Sequence, residues 1–384
     1  MIKPLVAVVL LLTGGNLALA QSPDCSMDRM EIDPAQVVEA CTTVLETGRL
    51  SPSERGMALF VRGRGYHRTG RVSRAGSDYV AALLLIPAND ELYVSRANVA
   101  LRAGRYGEST AFLRKALALN PTNVNALRTL GAVHYDQGLI DDALKYYNRA
   151  LEIDPTEPYS LEFRSRLHAR FNRYAAALED ANALVAIPPD IINRKGYLDH
   201  TAIMQDFHVV ALKHRADILE RVGNLDLAKQ DLDRAVTYRH TAEALIARGE
   251  FLVNRKKFDE ALKDFESALA IKRNDQKARY QKGIVLIHMK RESDALATFD
   301  HLLDNNPHHG YGLRMRARLY RSRGETERAV RDYVRAMEVD SRVIRQTIPA
   351  FQHGGYWRSQ EIPEEISPEL LDAVQACMLD TDCN

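Results

Sequence analysis

Cysteine is scarce in this chain, tryptophan nearly absent, and neither sign of charge prevails. Four cysteines occur in 384 residues, Cys25 and Cys41 near one end and Cys377 and Cys383 near the other, with none between. Their spacings fit none of the usual zinc frames and no histidine pair flanks them, which argues against a metal site. With 52 basic and 51 acidic side chains, the chain lacks the positive excess that nucleic acid or an anionic membrane surface selects. The apolar run Leu5–Leu12 is too short to span a bilayer. Catalytic signatures are missing as well. There is no His-Glu-x-x-His and no serine in a nucleophile turn, and Gly63-Arg64-Gly65 with Gly70 is not followed by the Gly-Lys-Ser/Thr of a phosphate loop. His308-His309 stands alone. The expectation is a protein without catalysis, cofactor or metal.

What is present is a period. Pro87, Pro121, Pro155 and Pro189 are each 34 residues apart, and the residues between them recur in order. In the copy that starts at Val124, Leu127, Leu130, Gly131 and His134 share one face of a first helix, and Ala143, Tyr147 and Ala150 share one face of a second. Small Gly131 and Ala143 let the two helices approach while Tyr147 fills the space alongside. Gly138 turns the chain, Asp141 complements the dipole of the second helix, and Pro155 ends it.

The same slots are filled from residue 56 (Leu59, Gly63, Tyr79) and from 90 (Ala97, Leu113), and more weakly from 158 (Leu161, Ser165). The phase breaks after 189 and resumes near 209, with copies from 209, 242, 276 and 310. A unit that cannot bury its apolar face alone must stack on neighbours. The pattern resembles the tetratricopeptide repeat (TPR) family over about 56 to 341. That resemblance implies an all-α fold, a right-handed superhelix of about eight helix-turn-helix repeats, which holds a protein or peptide in a concave groove.

The sequence therefore divides into a signal peptide over 1–20, an N-terminal capping segment over 21–55, repeats 1–4 over 56–189, an insertion over 190–208, repeats 5–8 over 209–341 and a C-terminal cap or small helical module over 342–384. Lys3, the apolar run and Ala18-Leu19-Ala20 read as a secretory leader cleaved after Ala20. This predicts an exported chain, in a bacterial periplasm and not membrane-embedded. Four cysteines allow three pairings. An array this long keeps its ends apart, so Cys25 with Cys41 and Cys377 with Cys383 are the expected staples of the caps. The insertion is open to three readings: hinge, extra helix or binding loop.

Arginine stands in the seventh slot at Arg62, Arg96, Arg164, Arg215, Arg248 and Arg316, and five of these have an aspartate 16 residues on: Asp78, Asp180, Asp231, Asp264 and Asp332. This covariation predicts ion pairs between the two helices of a repeat rather than a ladder for a ligand. The groove slots of the TPR pattern are the second, fifth, ninth and twelfth of each first helix. They carry Arg64, His67, Asn98, Asn125, Arg128, Tyr135, Tyr159 and Arg166 in the first half, and Arg314, Arg318 and Arg321, one turn apart, in the last repeat. Two readings of these slots stand: a groove for an acidic segment of an envelope protein or peptide, or a solvated helix face. The TPR variety that clamps chaperone tails needs Lys and Asn where this chain has Phe60 and Arg64, so the pattern does not fit that use. The tail, with Gly354-Gly355-Tyr356-Trp357 and a helix from Pro368 to Met378, distantly resembles a peptidoglycan-binding-like module. Pro363-Glu364 replaces the Asp-Gly expected after Ile362. Wall binding and a simple cap are the alternatives there.

Overall fold

The structure, a computed structural model, describes residues 25–27, 33–47, 49–191, 207–359, 363 and 365–380. The expected signal peptide, most of the 190–208 insertion, and Gly48, Ile362 and Cys383 lie outside the described residues. Every regular element among those described is helical. The chain divides into two compact units, residues 1–228 and 229–384. The first contains α1 (Pro34–Thr47), α2 (Pro52–Arg68), α3 (Val72–Leu85), α4 (Asp90–Arg102), α5 (Tyr106–Leu119), α6 (Val124–Asp136), α7 (Ile140–Ile153), α8 (Pro158–Arg170), α9 (Tyr174–Ala186) and α10 (Phe207–Arg221). Helix α11 (Leu225–Tyr238) carries the division. The second unit continues with α12 (Ala242–Asn254), α13 (Phe258–Ile271), α14 (Gln276–His288), α15 (Glu292–Asn305), α16 (Gly310–Ser322), α17 (Thr326–Val339), α18 (Ser341–His353) and α19 (Pro368–Leu379).

Within each unit, successive helices pair as hairpins, and each hairpin packs on the next. The first helix of each repeat is started by a side chain in a fixed slot. Asn89, Asn123 and Glu157 cap α4, α6 and α8, and Thr241, Asp275 and His309 cap α12, α14 and α16, each accepting a backbone N–H of the first turn. Such a cap satisfies one of the amides a helix start leaves unbonded. The first repeat adds a reciprocal arrangement at α2. There the Ser51 hydroxyl accepts from Glu54 N–H, and the Glu54 carboxylate accepts from Ser51 N–H at 2.8 Å. The prolines fall just past α3, α5, α7 and α9, where a missing N–H costs nothing.

The helices of a repeat touch closely, as the small-residue slots require. A Cβ placed on Gly131 would lie 2.5 Å from the Tyr147 ring, and on Gly283 2.5 Å from the Phe299 ring. Tyr147, Phe265 and Phe299 are fully buried; each aromatic occupies volume that a side chain opposite would need. The turn between the helices takes a left-handed residue. Glycine supplies it at Gly138 (φ 76°), but Asn172, Lys256 and Lys290 hold φ of 57–59° in the equivalent places.

The ends are capped. Helix α1 lays Val37, Cys41, Val44 and Leu45 on Leu59, Phe60 and Tyr79 of the first repeat, and Cys25 is disulfide-bonded to Cys41. At the other end α18 and α19 bury Ile344, Ile348, Phe351, Leu370, Val374 and Met378 against Leu313, Ala317 and Tyr333 of the last repeat. Cys377 is also disulfide-bonded.

Candidate functional site

In four repeats the seventh-slot arginine ties the first helix to the second. Arg62, Arg164, Arg248 and Arg316 form two-pronged bonds to Asp78, Asp180, Asp264 and Asp332, at distances of 2.5–2.9 Å. Arg215 and Asp231 fall on opposite sides of the division between units. The remaining guanidinium nitrogen reaches back to the preceding second helix: Arg164 to Asn148, Arg248 to Asp233 and Arg316 to Asp300, at 2.7–3.0 Å. One arginine thus ties three helices, and hydrogen bonding to the aspartate raises the pKa of Arg62, Arg248 and Arg316 further still. Arg96 has no aspartate 16 residues on; it pairs with Glu108 at 3.4 Å and covers the Phe112 ring.

The groove slots lie apart from the seventh slot on each first helix. The structure puts several of them to internal use. Arg128 is only 7% exposed; its guanidinium lies 4.7 Å over the ring of Tyr159, itself 4% exposed, and 4.0 Å from Glu157. Asn125 donates to Glu91 at 3.2 Å. His67 is buried, Arg64 covers the Phe60 ring, Tyr135 packs beside Phe163, and Asn98 is half-buried. His67, Arg128 and Tyr159 are therefore buried rather than part of an open surface; Arg128 lies against Tyr159, and Tyr159 against the Phe207 ring. Arg166 is exposed and pairs with Glu162 at 2.5 Å.

The last repeat differs. Arg314, Arg318 and Arg321 line one cavity of about 180 Å³ in α16, together with Tyr333, Gln346, Thr347, Phe351, Cys377 and Met378. No carboxylate is among the lining residues. Arg314 donates to Gln346 Oε1 at 3.1 Å and covers the Tyr311 ring, while its Nε is buried with no acceptor among the described residues. Arg318 is exposed and makes no ion pair among the described residues. The Tyr333 hydroxyl and Thr347 Oγ1 are hydrogen-bonded at 2.9 Å. Burial pushes the Tyr333 phenol up, while the hydrogen bond with Thr347 and then the charges of Arg314, Arg318 and Arg321 oppose that rise. Burial raises Tyr280 too, against Arg314 and Arg318. Three arginines lining one cavity whose printed lining holds no carboxylate give it a basic wall.

Spacing along α16 exposed the stripe, but Gln346 and Thr347 come from a cap helix outside the 34-residue frame, so no periodic signal marked them. Tyr356 and Trp357 pack partly buried against the cap core, and the Tyr356 hydroxyl bonds to Asp380. No cluster of three or more potential metal ligands occurs among the described residues, and no described helix is long and apolar enough to cross a membrane.

Stacked helical hairpins with these slots make an α-solenoid. Residues 94–158 and 215–278 match one tetratricopeptide repeat profile and residues 252–319 a second. Protein O-mannosyl-transferase TMTC3 of Homo sapiens is 27% identical over 223 residues, 57% of this chain and 24% of that protein. The Hsp70-Hsp90 organizing protein of Triticum aestivum is 23% identical over 271 residues, 65% of this chain and 42% of that protein. The chain thus spans less than half the length of these curated relatives. A tetratricopeptide repeat protein crystal structure from Parabacteroides merdae is 20% identical with a TM-score of 0.49, covering 65% of this chain and 93% of that one.

Proposed function

We propose that the chain is an exported, non-catalytic TPR scaffold that binds a protein or peptide of the cell envelope through its first-helix faces, taking an acidic segment at Arg314, Arg318 and Arg321. The observation that carries this reading is the cavity with three arginines and no carboxylate. Export rests on the leader-like first twenty residues and on cysteines held as disulfides, which persist outside a reducing cytosol. The seventh-slot arginines, by contrast, are occupied within the fold and are not offered to a ligand.

The tail serves as the cap of the last repeat in this reading, since Tyr356 and Trp357 are packed inward. Sedimentation with cell-wall sacculi would separate the two: the purified chain should stay in the supernatant. The groove is tested with a fluorescein-labelled hexaglutamate peptide and anisotropy. The wild type should bind, and the Arg314→Glu/Arg318→Glu variant should bind about tenfold more weakly or worse, because reversal replaces attraction with repulsion. Equal affinity of the two proteins would end this reading. Crosslinking in intact cells then identifies the natural partner.

A further inference from the structure

The first repeat has a gap where the others carry a side chain. Counted from the start of each repeat, Gly76 stands in the slot filled by Leu144, Leu178, Leu262, Leu296 and Val330, and by Thr110 and Lys229 in the remaining two. Leu144, Leu178 and Val330 pack on the cores of their repeats. At Gly76 a cleft of about 790 Å³ opens instead between α3 and α4, a size within the range of small-molecule sites. Gly76 and Val99 are buried in its floor, while Val72 and Val80 form a wall in which Val80 is 45% exposed. A Cβ on Gly76 would lie 3.5 Å from Arg96 Nη1 and 3.6 Å from Val99 Cγ1, ordinary contact distances, so the slot has room for the side chain it lacks.

A second departure makes the wall apolar. The arms of Arg164, Arg248 and Arg316 that reach the preceding helix end on Asn148, Asp233 and Asp300, whereas the residue matching these ahead of Arg96 is Val80. Hydrocarbon replaces the anchor of that tie. Arg102, the last residue of α4, and Arg105, just before α5, stand at one end of the cleft. Glu108 serves both Arg105, at 2.7 Å, and Arg96, at 3.4 Å, and Arg102 is exposed with no ion pair among the described residues. Three lining arginines against that one carboxylate leave an excess of two positive charges. From Val72 to Val80 α3 rises about 12 Å, the reach of a medium-length hydrocarbon chain. A bare anion gains nothing from the valines and a neutral hydrocarbon nothing from the arginines; a ligand with both parts uses the whole cleft.

We propose that this cleft binds an aliphatic monocarboxylate of medium chain length, its hydrocarbon over Gly76 and Val99 and its carboxylate on Arg102 and Arg105. The site lies within the first unit and shares no residue with the arginine cavity of the last repeat, so either assignment can fail alone. Calorimetric titration of the full chain with sodium decanoate, sodium hexanoate and decyltrimethylammonium, all below micelle-forming concentrations, tests it. Decanoate should bind, hexanoate about tenfold more weakly because fewer methylenes leave water, and the cation of equal tail length not measurably. Gly76→Leu, which puts into the cleft the residue that four other repeats carry, should abolish binding while melting no lower than wild type. Arg102→Gln/Arg105→Gln should lose about tenfold or more in decanoate affinity, whereas Arg314→Glu/Arg318→Glu should leave it unchanged. Methyl resonances of Val80 and Val99 should move on decanoate addition, a readout that does not depend on any variant folding. No heat and no shift of those methyls would overturn the proposal. So would undiminished binding by Gly76→Leu, or equal affinity for the ammonium amphiphile, the mark of unspecific hydrophobic association.

Discussion

Replacing Arg248 by methionine isolates what one arginine contributes to holding two helices together. Its Nε and Nη2 bond to Asp264 at 2.9 and 2.7 Å, and Nη1 reaches Asp233 at 3.0 Å. The Asp264 side chain is 7% exposed and that of Arg248 25%. Removing one partner of a buried pair costs about 3–5 kcal/mol, mostly from the charge left behind. Water reaches a quarter of the arginine, so the low end, about 3 kcal/mol, is expected. The arm to Asp233, whose side chain is 39% exposed, adds under about 1 kcal/mol. Arg248→Met with Asp264→Leu should recover most of the loss, because no charge remains stranded. Long arrays do not unfold in one step, so urea titration by circular dichroism should be joined to amide exchange in α12 and α13. A single-variant cost below about 1 kcal/mol, or a double variant as unstable as the single, would refute the assignment of Arg248 as a buried tie.

Further outcomes follow from individual sites. Gly131→Ala should destabilise by about 1–3 kcal/mol, since the added Cβ would sit 2.5 Å from Tyr147; a melting curve unchanged from wild type would count against the close crossing. Lys290→Gly should stabilise by about 1 kcal/mol, because Lys290 holds φ of 59°, a conformation costly to any residue with a Cβ; a loss on denaturation would contradict this. His214 titrates lower when folded, about 4 against 6.5, so below pH 6.5 the unfolded chain binds the extra proton. Stability should fall as pH drops from about 6.5 to 4, by about 3 kcal/mol. His214→Gln should flatten that part of the profile, and an unaltered slope would show that His214 is not its source.

The legible part of this protein was whatever repeats. A period of 34 with small residues facing aromatics exposed the hairpins, and the paired Arg and Asp slots exposed a contact between helices, because each depends on residues close in sequence that recur under the same packing constraint. The helix-starting slot two residues past the prolines was equally periodic, yet its occupants Asn89, Asn123 and Glu157 look like ordinary loop residues until their side chains are seen bonded to the following amides. Lys256 and Lys290 hid their turns for the converse reason, since nothing in a lysine advertises a left-handed backbone.

Tertiary structure alone decided how the groove slots are used. Arg128 and Arg314 hold the same slot of their repeats, but Arg128 lies against Tyr159 of the next repeat while Arg314 covers the Tyr311 ring and bonds to Gln346 of the cap. Whether a side chain is spent on packing depends on its neighbour's volume and on the direction of the helix that follows. The same holds for the arginine cavity of the last repeat, which needs Gln346 and Thr347 from a cap outside the period. Local spacing sets each helix face, but the polar environment at that face is made by residues far along the chain, which a period does not bring into register.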